Sequence, residues 1–208
     1  MLPVMLIMFL FSAIAFGASI VVRTEITVSA RYRRATEALY AADAGLAVTL
    51  AELRQLPGWT PVLNGTVPSA FSRGAFEGSG RIPGAGTVAL CCGPGSAAAR
   101  VVNESRLSVV PARRILEWQP FLWSPLDQIT GDSTPTGFFI VVFVADDEDD
   151  GNDADPRKDT NGVVMVRAEA LEPDGAHRTV EALVARRDPG PTVGPQPAIG
   201  ILRWREIR

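Results

Sequence analysis

The chain has 208 residues and a formal net charge of −3 at pH 7, and 47% of its residues are hydrophobic. This slightly acidic balance argues against a nucleic-acid partner, because such partners require a basic surface. Two cysteines without a neighbouring histidine do not form a zinc site. The sequence has no combination of nucleophile and base and no phosphate-binding glycine loop, so it predicts neither an enzyme nor a small-molecule substrate.

Residues 1–22 form an apolar segment without a charged side chain. As a helix with a rise of about 1.5 Å per residue, they span about 33 Å, which is enough for a hydrocarbon core of about 30 Å. A secretory signal would instead begin with basic residues and have a shorter apolar region before a cleavage site of small residues. The segment therefore predicts a transmembrane helix that stays on the protein.

Residues 23–56 continue with the pattern of an amphipathic helix. Steps of three and four residues place apolar side chains on one stripe, while charged side chains occupy the other faces. Pro57 and Gly58 end the helix, because proline removes a backbone donor. The pattern fits either one helix from about residue 2 to 56 or a membrane anchor followed by a separate helix. The stripe predicted to pack on a globular head consists of Tyr32, Leu39, Leu46, Leu50 and Leu53.

Three short motifs stand in this region: Arg-Thr-Glu at 23–25, Tyr-Arg-Arg at 32–34, and Ala-Leu-Tyr-Ala-Ala-Asp-Ala-Gly-Leu at 38–46. Together they resemble the N-terminal region of PilX-like minor pilins of type IV pili. The resemblance covers about the first 55 residues, roughly a quarter of the chain, and minor pseudopilins of type II secretion share part of it. It implies one continuous helix whose second part packs on an antiparallel sheet, which is a pilin-like architecture.

Two features depart from the pilin pattern. Precursors in the pilin family that these motifs resemble carry a short basic leader that ends in Gly. In this sequence the apolar segment begins at Met1, without such a leader before it. Met5 stands where most pilins have a Glu that pairs with the N-terminal amine of a neighbouring subunit. We expect that the reading frame begins upstream of Met1, or that Met1 lies near a mature end. An upstream basic leader would also balance Arg23 and Arg31, which by the positive-inside rule favour a cytoplasmic location for the segment that follows.

Residues 57–208 predict one β-rich globular head, so that the whole chain has an α+β fold with a long N-terminal helix packed on an antiparallel sheet. Apolar or alternating segments predict strands at residues 87–91, 100–110, 114–118, 137–145, 163–171, 177–186 and 199–208. A turn at 172–175 joins two of them, and the three segments from 137 to 186 are expected to form an antiparallel meander. The last strand is predicted to lie at an edge, with Ile199, Ile201 and Ile207 on one side. The proline-rich segment 188–197 is predicted to be extended.

Acidic residues are concentrated in the loop 146–162, between two predicted strands. Eight of the fourteen residues from 146 to 159 are acidic, and Ca²⁺ prefers oxygen ligands of this kind. The start of the loop loosely fits the EF-hand pattern, but Arg157 occupies the twelfth position, where a bidentate Glu is required. A solvated acidic loop without an ion is the alternative. The candidate Ca²⁺ ligands are Asp146, Glu148, Asp150, Asp153, Asp155 and Asp159.

Cys91 and Cys92 are adjacent in the sequence. An extracytoplasmic head lies in an oxidising compartment, which favours a disulfide. Closing an eight-membered ring between adjacent residues requires a strained peptide, so reduced thiols or a disulfide to another subunit are the commoner arrangements. The sequence leaves these three possibilities open.

The resemblance implies a minor pilin, a membrane-anchored assembly or priming subunit of a type IV pilus. It implies a single-pass protein of the bacterial inner membrane with an extracytoplasmic head, incorporated in an extracellular pilus. The partners would be other pilins or minor pilins and a tip adhesin. Two alternatives are a type II secretion minor pseudopilin and a stand-alone, membrane-anchored extracytoplasmic β domain that binds Ca²⁺.

Overall fold

A computed structural model of the protein describes residues 2–107, 116–133, 135–147, 155–174, 176–187 and 198–207. The chain forms two compact units, Met1–Glu37 and Ala38–Arg208, which we call unit 1 and unit 2. Helix α1, Leu2–Gln55, contributes residues to both units. The sequence pattern allowed one helix or two, and α1 is one helix. It ends two residues before Pro57, as predicted, because proline cannot donate the next helical hydrogen bond.

Unit 2 contains a five-stranded antiparallel sheet in the order β3-β4-β5-β6-β7. Its strands are β3 Gln119–Pro125, β4 Phe139–Asp146, β5 Val163–Leu171, β6 His177–Arg187 and β7 Ala198–Ile207. A separate hairpin pairs β1 with β2, and short helices connect these elements. These remaining elements are β1 Ser79–Ile82, β2 Gly86–Ala89, α2 Thr60–Leu63, α3 Ala97–Leu107 and α4 Leu126–Thr130. The α+β class is therefore confirmed.

The predicted antiparallel meander is confirmed in strands β4, β5 and β6. Phe139 of β4 pairs with Leu171 of β5, which in turn pairs with His177 of β6. Every residue of β4 is buried, as expected for a continuous apolar run in the interior of a sheet. The turn between β5 and β6 lies where the Glu-Pro-Asp sequence predicts it, so this part of the sheet follows from local sequence signals.

In the middle of the chain one prediction is wrong and one strand was not predicted. The segment 100–110 was predicted as a strand, but residues 100–107 belong to helix α3. Two features favour the helix. Ala97 and Val101 are buried one helical turn apart, and the Ser96 hydroxyl near its start accepts a hydrogen bond from the Ala99 amide at 3.3 Å. Strand β3 has no counterpart among the predicted strands, and it contains two prolines, which are uncommon inside sheets. It lies at the sheet edge, where a missing amide donor is tolerated. Of the predicted strand at 114–118, residues 114 and 115 lie outside the described residues and 116–118 precede β3.

Strand β7 occupies the predicted edge position, but its isoleucines do not share one side. Ile201 pairs with Val184, and a register shift at this point leaves Leu202 as an extra residue before Arg203 pairs with Leu183. Such a bulge reverses the alternation of side chains, so Ile207 lies opposite Thr179 on the other face. The predicted extended segment 188–197 lies outside the described residues.

The sheet has a buried core on each of its faces. One core joins the second part of α1 and helix α2 to the face of the sheet that carries Ile140, Val166 and Ala182. The other core joins hairpin β1–β2 and helix α3 to the face that carries Val141 and Phe143. An antiparallel sheet with both faces covered places the polar residues of its strands inside the protein, which shapes the site described below.

Candidate functional site

Unit 1 presents an apolar helical surface that none of the described residues covers. Between residues 4 and 22, every large apolar side chain is exposed. Among the described residues, α1 is the one helix that is long and apolar enough to cross a membrane. Beyond this segment the hydroxyls of Thr24 and Thr27 donate hydrogen bonds to helix carbonyl oxygens, and Arg33 forms an exposed ion pair with Glu37 at 3.2 Å. The apolar surface ends where the charged part of the helix begins.

In unit 2, α1 packs on the sheet through small side chains. Ala41, Ala42 and Gly45 are buried, and Gly45 lies so close to the sheet that a Cβ atom there would approach Ile140 Cγ2 to 2.4 Å. The Ala-Ala-Asp-Ala-Gly motif at 41–45 therefore has a physical explanation. Its small residues allow close contact between helix and sheet, while Asp43 points to solvent.

The predicted helical stripe is correct at four positions and wrong at one. Leu46 and Leu53 are buried in the core, and Leu39 and Leu50 are partly buried against it. Tyr32 belongs to unit 1, and its side chain is 76% exposed, so it is not a packing residue of the sheet core. The periodicity of apolar residues predicts one apolar stripe along the whole amphipathic helix. In the structure, the part of the helix that packs on the sheet begins at Ala38.

The end of α1 is held by Arg186 of strand β6. Its guanidinium donates hydrogen bonds to the carbonyl oxygens of Leu56 and Pro57, both at 2.6 Å, and lies 4.9 Å from the ring centre of Trp59. The Trp59 indole donates to the Leu53 carbonyl oxygen at 3.0 Å. A cation is favourable beside the carbonyls at a helix C-terminus. These contacts connect the end of the helix to the end of strand β6.

A buried ion network lies on the opposite face of the sheet. Arg167 of β5 is 1% exposed and forms ion pairs with Glu169 at 3.0 Å, with Glu181 of β6 at 3.2 Å and with Glu104 of α3. Two further arginines complete it, since Arg100 pairs with Glu169 at 3.0 Å and Arg205 of β7 pairs with Glu181. Three arginines and three glutamates thereby connect α3 with three neighbouring strands.

The network keeps Arg167 charged. Burial by itself would lower the pKa of its guanidinium, but Glu169, Glu104 and Glu181 favour the charged form, so that its pKa is raised above the ordinary value. A buried ion pair of this kind is costly to break, because removal of one partner leaves an uncompensated charge. The network therefore links α3 to strands β5, β6 and β7.

Sequence reasoning missed this network, although one signal pointed to it. Arg167 and Glu169 interrupt an otherwise apolar strand and resemble a solvent-facing pair. The tight turn after β5 fixes the pairing of the hairpin, and that register places Arg167 opposite Glu181. Complementary charges at paired positions would have shown a cross-strand ion pair. Its burial depends on α3, which was predicted as a strand.

The acidic loop is described only in part. Asp146 ends strand β4 and is buried. The Asp155 carboxylate accepts a hydrogen bond from the Arg157 amide, and the Asp159 carboxylate accepts one from the Gly162 amide. The other candidate ligands, Glu148, Asp150 and Asp153, lie outside the described residues. Within the described ranges, no group of three His, Cys, Asp or Glu residues could hold a metal ion. Calcium binding by this loop stays a prediction.

Cys91 and Cys92 form a disulfide with each other. Reduced thiols or a disulfide to another subunit were the commoner arrangements expected from the sequence, and they are not what the structure has. Cys92 adopts a φ of +72°, an uncommon backbone conformation that a tight local turn requires here. The segment is further held by hydrogen bonds from the Leu90 and Cys91 amides to the Gly78 carbonyl oxygen. The disulfide therefore belongs to the connection between β2 and α3.

Comparisons of the chain with family models, with curated proteins and with solved structures give no match. The resemblance of about the first 55 residues to PilX-like minor pilins therefore stays a prediction from the sequence motifs. The fold supplies an apolar helical segment and an antiparallel sheet on which the same helix packs. These two features carry the functional proposal.

Proposed function

We propose that this chain is a minor pilin, a membrane-anchored assembly or priming subunit of a type IV pilus. One observation carries the proposal: helix α1 has an uncovered apolar part in unit 1, and its second part lies in the sheet core of unit 2. An anchor alone needs only the apolar part. A pilin uses one helix for two purposes, because the apolar part holds the subunit in a membrane and later packs against other subunits.

Transfer from membrane to filament is feasible because helix–helix contacts replace lipid contacts of similar apolarity. Close approach of two helices requires small residues on their surfaces. The apolar segment contains such residues, and Gly17 has nothing within 4 Å of the position that a Cβ atom would occupy. The small residues proposed for helix contacts are Ala13, Ala15, Gly17, Ala18 and Ser19.

The partners proposed for unit 2 are other pilins or minor pilins and a tip adhesin. The subunit would reside in the bacterial inner membrane with unit 2 outside the cytoplasm and would then enter the extracellular pilus. The negative net charge and the absence of a catalytic combination in the sequence agree with a structural role.

The proposal is tested by fractionation of the source cells into membranes and sheared extracellular filaments. We expect the full chain in both fractions, and fewer filaments when its gene is deleted. Gly17→Leu should still enter the membrane but be depleted from filaments, because a large side chain blocks close helix approach. Phe16→Leu, an apolar exchange at an exposed neighbouring position, is the matched control and should behave as wild type. A chain found only in membranes, with filament number unchanged by deletion, contradicts the proposal.

Two alternatives predict different results in the same cells. A minor pseudopilin of type II secretion would be required for export of secreted enzymes rather than for surface filaments. A stand-alone anchored domain that binds Ca²⁺ would stay in the membrane and would not need neighbouring genes for pilin-like proteins or a prepilin peptidase.

A further inference from the structure

Unit 2 contains a cavity of about 510 Å³ between hairpin β1–β2, strand β3 and helix α4. This volume lies within the range of small-ligand sites in proteins, about 300–1,000 Å³. The cavity floor is apolar and includes Leu90, Trp123 and Phe139, all of which are buried. The rim is polar, and Arg73, Arg81 and Gln128 are its exposed residues with long side chains. The cavity thus combines an apolar floor with a positively charged opening.

The floor is held in place by contacts behind it. The Trp123 indole donates a hydrogen bond from Nε1 to the Arg73 carbonyl oxygen at 3.1 Å, and its ring meets the edge of Phe76 with a centroid distance of 5.4 Å. Gly80 lies against Phe139, where a Cβ atom would approach the ring to 2.5 Å. The absence of a side chain at position 80 therefore lets the Phe139 ring lie at the cavity floor. These contacts hold the two rings in place, and the parts of Trp123 and Phe139 that stay exposed, 8% and 4%, face the cavity.

The rim carries positive charge that none of the described residues neutralises. Among the described residues, neither the Arg73 nor the Arg81 guanidinium forms an ion pair or a side-chain hydrogen bond, and the cavity lining contains no acidic side chain. The arginines of the buried network are each paired with glutamate, as in the contact between Arg100 and Glu169 at 3.0 Å. Two unpaired guanidiniums above an aromatic floor are complementary to an anion attached to an apolar body.

We propose that this cavity binds an aromatic carboxylate, either as a free acid or as the C-terminal residue of a polypeptide. The aromatic ring contacts the exposed parts of Trp123 and Phe139. The carboxylate lies between Arg73 and Arg81, and the Gln128 amide donates a hydrogen bond to a carboxylate oxygen. A planar carboxylate matches the fork of guanidinium donors, which favours this anion over a compact halide. The site does not depend on filament assembly, so it stands apart from the pilin proposal.

Binding is measured by isothermal titration of the full chain in lipid nanodiscs, with empty nanodiscs as the blank. The probe is 3-phenylpropionate; 3-phenylpropanol has the same ring without the charge, and acetate has the charge without the ring. We expect saturable binding of 3-phenylpropionate and at least about tenfold weaker binding of the other two, because each lacks one of the two contacts. The tetrapeptide Gly-Gly-Gly-Phe with a free carboxylate is compared with its amidated form and with 3-phenylpropionate. This comparison shows whether the C-terminal residue of a polypeptide binds more tightly than the free acid.

Variants connect the binding to the rim. Arg73→Gln and Arg81→Gln remove one charge each at exposed positions and should each weaken 3-phenylpropionate binding by about tenfold. Arg203→Gln, an exposed arginine on β7 outside the cavity lining, is the matched control and should bind as wild type. Lack of saturable binding up to about 10 mM, where the free energy is too small for a specific site, overturns the proposal. Equal affinity for acid and alcohol, or unchanged affinity in both rim variants, overturns it as well.

Discussion

Gly45 provides the sharpest test of how α1 packs on the sheet. Alanine is favoured over glycine inside a helix by about 1 kcal/mol, so Gly45→Ala would stabilise an open site. Here the added Cβ atom would lie 2.4 Å from Ile140 Cγ2, and Ile140 is fully buried and cannot move away freely. Overpacking of a tight core costs about 1–3 kcal/mol. We therefore expect a net loss of about 1 kcal/mol in the free energy of unfolding.

A double-mutant cycle separates the clash from other effects. Ile140→Ala removes the clashing methyl group and by itself costs about 2–5 kcal/mol. With Ile140→Ala present, Gly45→Ala should become neutral or stabilising, which gives a coupling of about 1–3 kcal/mol. The assay is urea unfolding of the full chain in nanodiscs, followed by tryptophan fluorescence. Gly58→Ala, with nothing within 4 Å, is the control. Stabilisation by Gly45→Ala in the wild-type background refutes the close contact.

Three further predictions concern the stability of the full chain, measured for the first two by urea unfolding and for the third by thermal melting. Leu46→Asp should lower the free energy of unfolding by at least about 3 kcal/mol, because Leu46 is 1% exposed. Ala47→Asp at the exposed neighbouring position should change it little. Equal effects of the two changes would contradict the orientation of the helix on the sheet. Arg167→Met should lower the free energy of unfolding by up to about 3–5 kcal/mol, because buried Glu169 and Glu181 each lose one of their two arginine partners. A loss below about 1 kcal/mol would contradict the network. If the acidic loop binds Ca²⁺, the melting temperature should be higher in millimolar Ca²⁺ than in chelator, and Mg²⁺ should substitute poorly. The double change Asp150→Asn and Asp153→Asn should abolish this difference. Equal melting temperatures in Ca²⁺ and in chelator would contradict Ca²⁺ binding and favour a solvated acidic loop.

Local signals in the sequence determine three parts of this protein. Composition alone defines the apolar segment, because a long uncharged run needs no tertiary partner to be recognised. The position of Pro57 sets the end of α1, since a missing donor acts within one helical turn. The meander of β4, β5 and β6 follows from apolar runs and a tight turn, which together fix the register of neighbouring strands.

Other parts were decided only by the tertiary structure. Periodicity shows that a helix has an apolar stripe but not where a partner covers it, so Tyr32 was assigned to a contact that begins at Ala38. The same limit applies to α3, whose buried turn depends on the face of the sheet that it covers. The cavity between Arg73 and Arg81 joins elements distant in sequence. Sequence patterns report which side chains alternate, whereas burial, pairing and cavities depend on residues that only folding brings together.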